Sequence, residues 1–410
     1  MQSTPVVTTC AALAALSLPL HAQEPTFQTP GMPRWSAPKP AAAGDASQTS
    51  RFDAGFNPAF SFVIDTVADQ VDADGGDDGF DLSLRILELS AQAWVDPKAW
   101  AYFIAAADEE TVNVEEAAVH YTGLGGNSTL RAGRFFVDFG KQMQTHVHEL
   151  RTLERPLVLR TFLGDEVKGD GLQWDHWTAA GDEGAIRWSI GGFRSLLPEV
   201  EDDGTAAVAE VEDRKDFGEL NFTARVTAFH DAGENGTLQV GASARWIPEY
   251  AFAFSPSGAT AEGLDNAVYG LDVTYGWHDD SGVKRWTVGG EFLVSDGDVG
   301  ADVVDVGLDS DPTNDVLATV DGSRAGWFAF ADYAWDANHS AGLQFSSTEL
   351  TDGAGSDASE LEAYCTWHLS EYHRLRIAAS SFESDLEPDA LRFALQYTAI
   401  VGAHGHGVNW

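Results

Sequence analysis

The sequence predicts an all-β chain that closes into a transmembrane antiparallel β-barrel of about sixteen strands. Three observations predict it. Period-two hairpins recur down the chain, short and long connections alternate between them, and no apolar run is long enough for a membrane helix. The hairpin within Phe217–Trp246 sets the pattern. Leu220, Phe222, Ala224, Val226 and Ala228 share one face, and Asn221, Thr223, Arg225 and Thr227 share the other. After the polar turn Asp231–Gly236, Leu238, Val240, Ala242, Ala244 and Trp246 alternate with Gln239, Gly241, Ser243 and Arg245. One apolar and one polar face is the pattern of a strand between lipid and a wet lumen.

The expected strands begin with Pro58–Ala68, Leu84–Val95, Trp100–Ala107, Thr111–Tyr121 and Ser128–Val137. Gly171–Ala180 and Ala185–Phe193 follow, then the two limbs of the hairpin, then Ala267–Trp277 and Lys284–Val294. Gly326–Trp335, Ser340–Thr348, Leu361–Leu369, His373–Ser381 and Ala390–Val401 complete the set. With the N-terminus in the periplasm, every short turn falls on that side. The long connections 69–83, 138–170, 196–216, 248–264 and 296–322 then fall outside. The last strand also suits the signal read by barrel-assembly machinery, with Trp410 as the terminal aromatic. Trp94, Trp100, Trp188, Trp246, Trp277, Trp286, Trp335 and Trp367 lie near strand ends and predict aromatic girdles.

Residues 1–22 read as a secretory signal peptide, with an apolar core from Cys10 to Leu20 and a Leu20-His21-Ala22 cleavage pattern, although no Lys or Arg precedes the core. Residues 23–50, rich in Pro, Ala, Gln and Ser, read as a flexible periplasmic leader too short for a globular plug. Residues 51–410 are then the barrel. Removing the signal leaves Cys365 alone, so no internal disulfide is expected. The net charge of −40 argues against a nucleic-acid partner.

The charge is carried by three external segments. Asp69, Asp72, Asp74, Asp77, Asp78 and Asp81 fall in the first, eight further acids lie between Glu199 and Asp216, and eight aspartates lie between Asp296 and Asp321. Such a rim concentrates cations. Within it Asp309, Asp311 and Asp315 are spaced to offer oxygen ligands to calcium. The lumen face differs. Arg187, Arg225, Arg245, Arg285, Arg374, Arg376 and Arg392 take the polar parity, with Glu88, Asp272, Glu291, Asp332 and Glu362 against them. Both signs on one wall give a pore a transverse field and a polar water path. The connection 138–170 is the longest, and it holds Lys141, Arg151, Arg155 and Arg160. It is the candidate constriction, folding into the lumen with a short helix over Met143–Leu153. His146 with His148, and His404 with His406, are pairs that could chelate zinc or copper in extended chain. No nucleotide-binding glycine loop, nucleophile elbow or zinc-protease helix is found, so no enzymatic activity and no obligatory cofactor are expected.

Four groups of residues carry a resemblance. They are Asn57-Pro-Ala-Phe-Ser61; Leu130-Arg-Ala-Gly-Arg-Phe-Phe-Val-Asp-Phe-Gly140; His146-Val-His148 with Arg155-Pro-Leu157, Phe162-Leu-Gly-Asp-Glu166 and Gly169-Asp-Gly-Leu-Gln173; and Gly402-Ala-His-Gly-His406. Together they resemble a bacterial porin-like outer-membrane family often labelled "zinc-regulated TonB-dependent outer membrane receptor", over roughly residues 55–410 and most densely over 128–175. The resemblance implies a barrel in the outer membrane, with metal passage as a second idea. The favoured reading is a passive channel for small hydrophilic solutes or ions. A metal-linked receptor and a non-transporting structural or adhesive barrel are the alternatives. The partners expected are outer-membrane lipid and lipopolysaccharide, the assembly machinery and the solutes. Trimers are common among porins, but no stretch specifies a homotrimer.

Overall fold

The structure is a computed structural model that describes residues 59–402, apart from 76–77, 109–110, 198–205, 211–215, 305–311, 352–353 and 371. The signal and leader expected over 1–50 lie outside the described residues, as do His404, His406, Asp309 and Asp311.

The strands are β1 (Ala59–Ala73), β2 (Gly79–Asp96), β3 (Ala99–Ala107), β4 (Val112–Tyr121), β5 (Ser128–Phe136), β6 (Lys168–Ala179) and β7 (Gly184–Phe193). The short β8 (Val208–Glu210) precedes β9 (Asn221–Asp231), β10 (Gly236–Phe254), β11 (Ala259–His278) and β12 (Arg285–Val304). Then come β13 (Val316–Ala334), β14 (His339–Glu349), β15 (Asp357–Ser370), β16 (His373–Ser384) and β17 (Ala390–Gly402). Each long strand pairs antiparallel with its sequence neighbours, and β1 closes on β17 from Ser61↔Gly402 to Ala73↔Ala390. The result is a closed barrel of 16 strands, with β8 paired only to β10 beyond the ring. Closure leaves no unpaired edge.

The alternation that predicted the strands also sets their faces. On β7, Ser189 is 2% exposed and its neighbour Ile190 is 57% exposed. The outside therefore carries an apolar surface that includes Leu172, Ile190, Leu271, Leu343 and Phe393, and the inside is polar. Trp188, Trp246, Trp286 and Trp335 are exposed as expected of a girdle. Trp94 and Trp100 are not part of it. Trp94 shares the parity of the inward Glu88, Trp100 lies directly opposite it, and Trp100 is buried with its ring stacked on His120 at 4.4 Å.

One rim carries only connections of two to six residues, and the other carries the long ones, 137–167 and 194–220, beside several short ones. Three connections are shorter than expected, because their strands run on as paired hairpins. β1 and β2 extend to Ala73 and from Gly79, β10 and β11 to Phe254 and from Ala259, and β12 and β13 to Val304 and from Val316. In these extensions the apolar alternation stops while backbone pairing continues. Several expected rim acids thus face each other across strands, as Asp69↔Asp81 and Asp298↔Asp321 do.

The helix also differs in place. Met143–Leu153 holds only one 3-10 turn, Val147–Glu149, and the helix α1 spans Leu157–Leu163. Pro156 caps its start, and Gly164, left-handed at φ 72°, ends it by donating to the Arg160 carbonyl. Most carbonyls from Val147 to Leu153 accept from arginines of the barrel wall instead of serving a helix of their own.

Candidate functional site

The segment from Val137 to Val167 lies inside the barrel. It touches strands from one side of the ring to the other, which only an interior position allows. On one side, wall acceptors take its amides. Gly140 N donates to Ser243 Oγ (3.0 Å), Lys141 N and Gln142 N to Glu291 Oε1 (2.7 and 3.0 Å), Leu153 N to Glu362 Oε1 (2.8 Å), and Val158 N to Ser346 Oγ (3.2 Å). On the other side, arginines take its carbonyls. Arg85 donates to Val147 O (3.2 Å) and Leu153 O (2.5 Å), Arg376 to Leu150 O (2.6 Å) and Thr152 O (2.7 Å), and Arg374 to His148 O.

An apolar cluster fixes the segment further. Phe139, Met143, Val158, Leu159 and Leu163 pack inside against Phe193, Ile247, Val268, Leu293, Phe328 and Phe330 of the wall. The lumen is therefore in part an apolar core, beside the charged wall that the sequence predicts.

Two β-bulges aim side chains at this segment. Between β1 and β2 the register steps from Asp65↔Ile86 to Thr66↔Leu84, leaving Arg85 as the extra residue, which turns in to reach Asp65 Oδ2 (2.7 Å) and the segment. Between β3 and β4 it steps from Ile104↔Glu116 to Ala105↔Val114, leaving Glu115 as the extra residue. Consecutive residues on a strand normally point to opposite faces. The bulge lets both Glu115 and Glu116 face inward, at 4% and 2% exposure.

Both glutamates meet His146. Its Nδ1 lies 3.1 Å from Glu115 Oε2 and 3.3 Å from Glu88 Oε2, and its Nε2 lies 3.1 Å from Glu116 Oε1. His148 Nδ1 is 3.3 Å from the same Glu88 oxygen. Burial disfavours charge on His146, but the carboxylates of Glu88 and Glu115 outweigh it and raise its pKa well above the ordinary histidine range. Lys141 is the opposite case. Burial, with Arg225 and Arg151 near it, pushes its ammonium down to about 8.

The expected wall residues all lie on the barrel, most of them engaged by partners. Arg187 bridges Asp138 (2.7 Å) and Asp175; Arg225 grips Asp272 with two bonds (2.7 and 3.0 Å); Arg245 donates to Asn266 Oδ1 (2.7 Å). Arg392 spans Asp69 (2.5 Å) and Glu154 (3.0 Å). Glu88, Glu291, Glu362, Arg374 and Arg376 hold the inner segment, and Arg285 and Asp332 face a cavity. Of the four expected constriction residues, Arg155 pairs with Glu166 (3.0 Å), Arg160 with Glu360, Arg151 stacks over Phe330 (4.7 Å), and Lys141 is buried. Asp315, just before β13, is the one described member of the expected calcium set. Sequence reasoning missed Arg85, Asp65, Glu115 and Glu116. The Glu115-Glu116 doublet was the available signal, since it breaks the strand alternation.

Two cavities flank the segment. One, of about 450 Å³, opens toward the loop rim and is lined by seven carboxylates, among them Asp69, Asp81 and Glu115, against Arg85, Lys168 and Arg392. The other, of about 230 Å³, opens toward the turn rim and is lined by Arg151, Arg285, Arg374 and Arg376, four histidines, and Glu149, Asp332 and Asp336. Val147 lines the first and His148 the second, so the two cavities meet the 3-10 turn at adjacent residues.

No protein-family model and no curated protein matches the chain. Among solved structures it is similar to OprB of Pseudomonas putida at high pH, with 10% identity, a TM-score of 0.55, and 84% of this chain and 94% of that chain covered. It is similar to an anion-selective porin from Comamonas acidovorans, with 12% identity, a TM-score of 0.51, and 84% and 99% covered. It is also similar to a loop-L8 deletion mutant of OmpT, an outer membrane protein of Vibrio cholerae, with 11% identity, a TM-score of 0.50, and 84% and 99% covered. At such identity the likeness is one of fold, that of porin-type barrels, and it lends no support to the TonB-dependent receptor label. The expectation that the chain is not an enzyme is withdrawn. It rested on missing motifs, and a barrel shared with OmpT does not by itself decide against catalysis.

Proposed function

We propose that the chain is a passive outer-membrane channel for small hydrophilic solutes or ions, with the 137–167 segment setting the width of its passage. The observation that carries this reading is the pair of cavities, one toward each rim, which meet the inner segment at the adjacent residues Val147 and His148. The apolar exterior suits lipid and the closed ring leaves no edge in it, so the barrel would span the membrane with the short turns in the periplasm. A solute from outside would first meet the acidic cavity and then the arginine-lined one. The two fields select in sequence, cations gathering at the first and anions at the second.

The test is conductance of the refolded protein in a planar bilayer under a salt gradient. Stepwise openings are expected, and the sign of the reversal potential reports which cavity dominates. A silent barrel of verified fold would sink the reading. Uptake in cells that saturates and requires energy would point to a gated receptor instead.

A further inference from the structure

We propose that Glu88, Glu115 and His146 form a site for one divalent first-row transition ion, such as Zn²⁺, with Glu116 as the outer partner of His146. The inference stands apart from the channel reading, because it rests on the disposition of donor atoms and not on passage through the barrel.

The donor atoms of Glu88, Glu115 and His146 lie within 4.8 Å of one another, and all three residues are buried. A tetrahedral ion with bonds of about 2.0–2.1 Å needs donors about 3.3 Å apart. His146 Nδ1 stands 3.1 Å from Glu115 Oε2 and 3.3 Å from Glu88 Oε2, and His148 Nδ1 stands 3.3 Å from Glu88 Oε2. The two His146 separations match two edges of such a tetrahedron, and His148 stands beside Glu88 outside the group of three. The mixture of imidazole and carboxylate favours a transition ion over calcium, which takes six to eight oxygens.

Two further observations point the same way. First, Glu116 accepts from His146 Nε2 (3.1 Å) and is itself fixed by the Tyr102 hydroxyl (2.7 Å) and the Phe136 amide (3.3 Å). A carboxylate that orients the far nitrogen of a ligating histidine is the usual outer shell of a metal site. Second, the Glu115 bulge spends a register break to bring a second glutamate to the same imidazole, and bulges re-aim side chains at functional sites. Charge fits as well. Three buried carboxylates face His146, and a dication over a neutral imidazole compensates two of them where a protonated imidazole compensates one. The ion would arrive through the acidic cavity, whose lining includes Glu115 and Val147. A proton on Nδ1 is the competing occupant of the same position.

The experiment uses the full chain, refolded in detergent and stripped with chelator, in a His404→Ala/His406→Ala background that removes the other histidine pair. After incubation with zinc and desalting, elemental analysis is expected to find about one zinc per chain. Glu115→Gln and His146→Ala should each lose at least nine-tenths of it, with the fold verified by heat-modifiable gel mobility. Cobalt is expected to give the intense visible bands of a tetrahedral site in the parent chain, a readout that survives if a variant fails to fold. Retention of zinc by both folded variants at the parent level would overturn the proposal. So would a parent chain that keeps no stoichiometric zinc and shows no tetrahedral cobalt bands.

Discussion

Arg376→Met tests whether the arginine grip holds the inner segment in place. Arg376 gives the segment two charged hydrogen bonds, to Leu150 O (2.6 Å) and Thr152 O (2.7 Å), and is braced by Gln396 Oε1 (2.9 Å) and Thr366 Oγ1 (3.3 Å). Charge-assisted bonds contribute roughly 1.5–3 kcal/mol each, so the pair contributes roughly 3–6 kcal/mol before the cost of burying the guanidinium. Taking about 3 kcal/mol as the net loss, the released state of the segment should become roughly a hundredfold more populated. Arg85 and Arg374 keep their own bonds, so the barrel still folds and the change is local. In single-channel recordings, the variant should show higher-conductance substates far more often than the parent. Substate frequency and amplitude within twofold of the parent, in a variant of verified fold, would refute the claim that these bonds set the passage.

Three further perturbations follow from the same geometry. Lys141 has a pKa lowered from 10.5 to about 8, so the folded state is disfavoured below pH 8 by on the order of 3 kcal/mol, and this fades as pH rises toward 10.5. Lys141→Met should therefore be more stable than the parent in urea unfolding at pH 7, with the margin closing by about pH 10; a margin that does not change with pH would contradict the assignment. Leu271→Arg places a charge on the exposed outer face of β11 and should cost roughly 2–4 kcal/mol in lipid-vesicle unfolding, and a cost under about 1 kcal/mol would show that this face is not in lipid. Gly140→Ala forces a side chain onto a residue at φ 56° and against the Glu291 carboxylate that anchors Lys141 and Gln142. It should loosen the segment by roughly 1–2 kcal/mol and raise proteolysis within 137–167, measured by limited digestion of the folded barrel.

The alternation of small and large apolar residues with Thr, Ser, Arg and Gln made the strands and their faces legible, because a half-buried strand has no other way to satisfy lipid on one side and water on the other. Where that contrast ends, so does the signal. No alternation of apolar with polar residues marks 248–254 or 297–304, and the hairpins there are held by backbone pairing that side chains do not record. The sequence predicts the inner segment in the lumen but a helix over 143–153, because nothing local shows that Arg85, Arg374 and Arg376 claim those carbonyls. The His146/His148 pair was visible. Its carboxylate partners are 30 and more residues away in sequence, joined to it only by the pairing of β2 to β5, the infolding of the segment and the bulge at Glu115.

The arginines of β2 and β16 take hold of carbonyl oxygens, which every amino acid possesses. Val147, Leu150, Thr152 and Leu153 could thus be exchanged for other residues without removing a single one of those bonds, whereas Arg85, Arg374 and Arg376 have no such freedom. The side chains of 147–153 are thus free to change while the arginines, which both anchor the segment and line the cavities, stay fixed. On the channel reading, what the barrel admits can be retuned by altering a handful of side chains over 147–153, and a protein engineer can build a library there with the anchoring arginines left untouched.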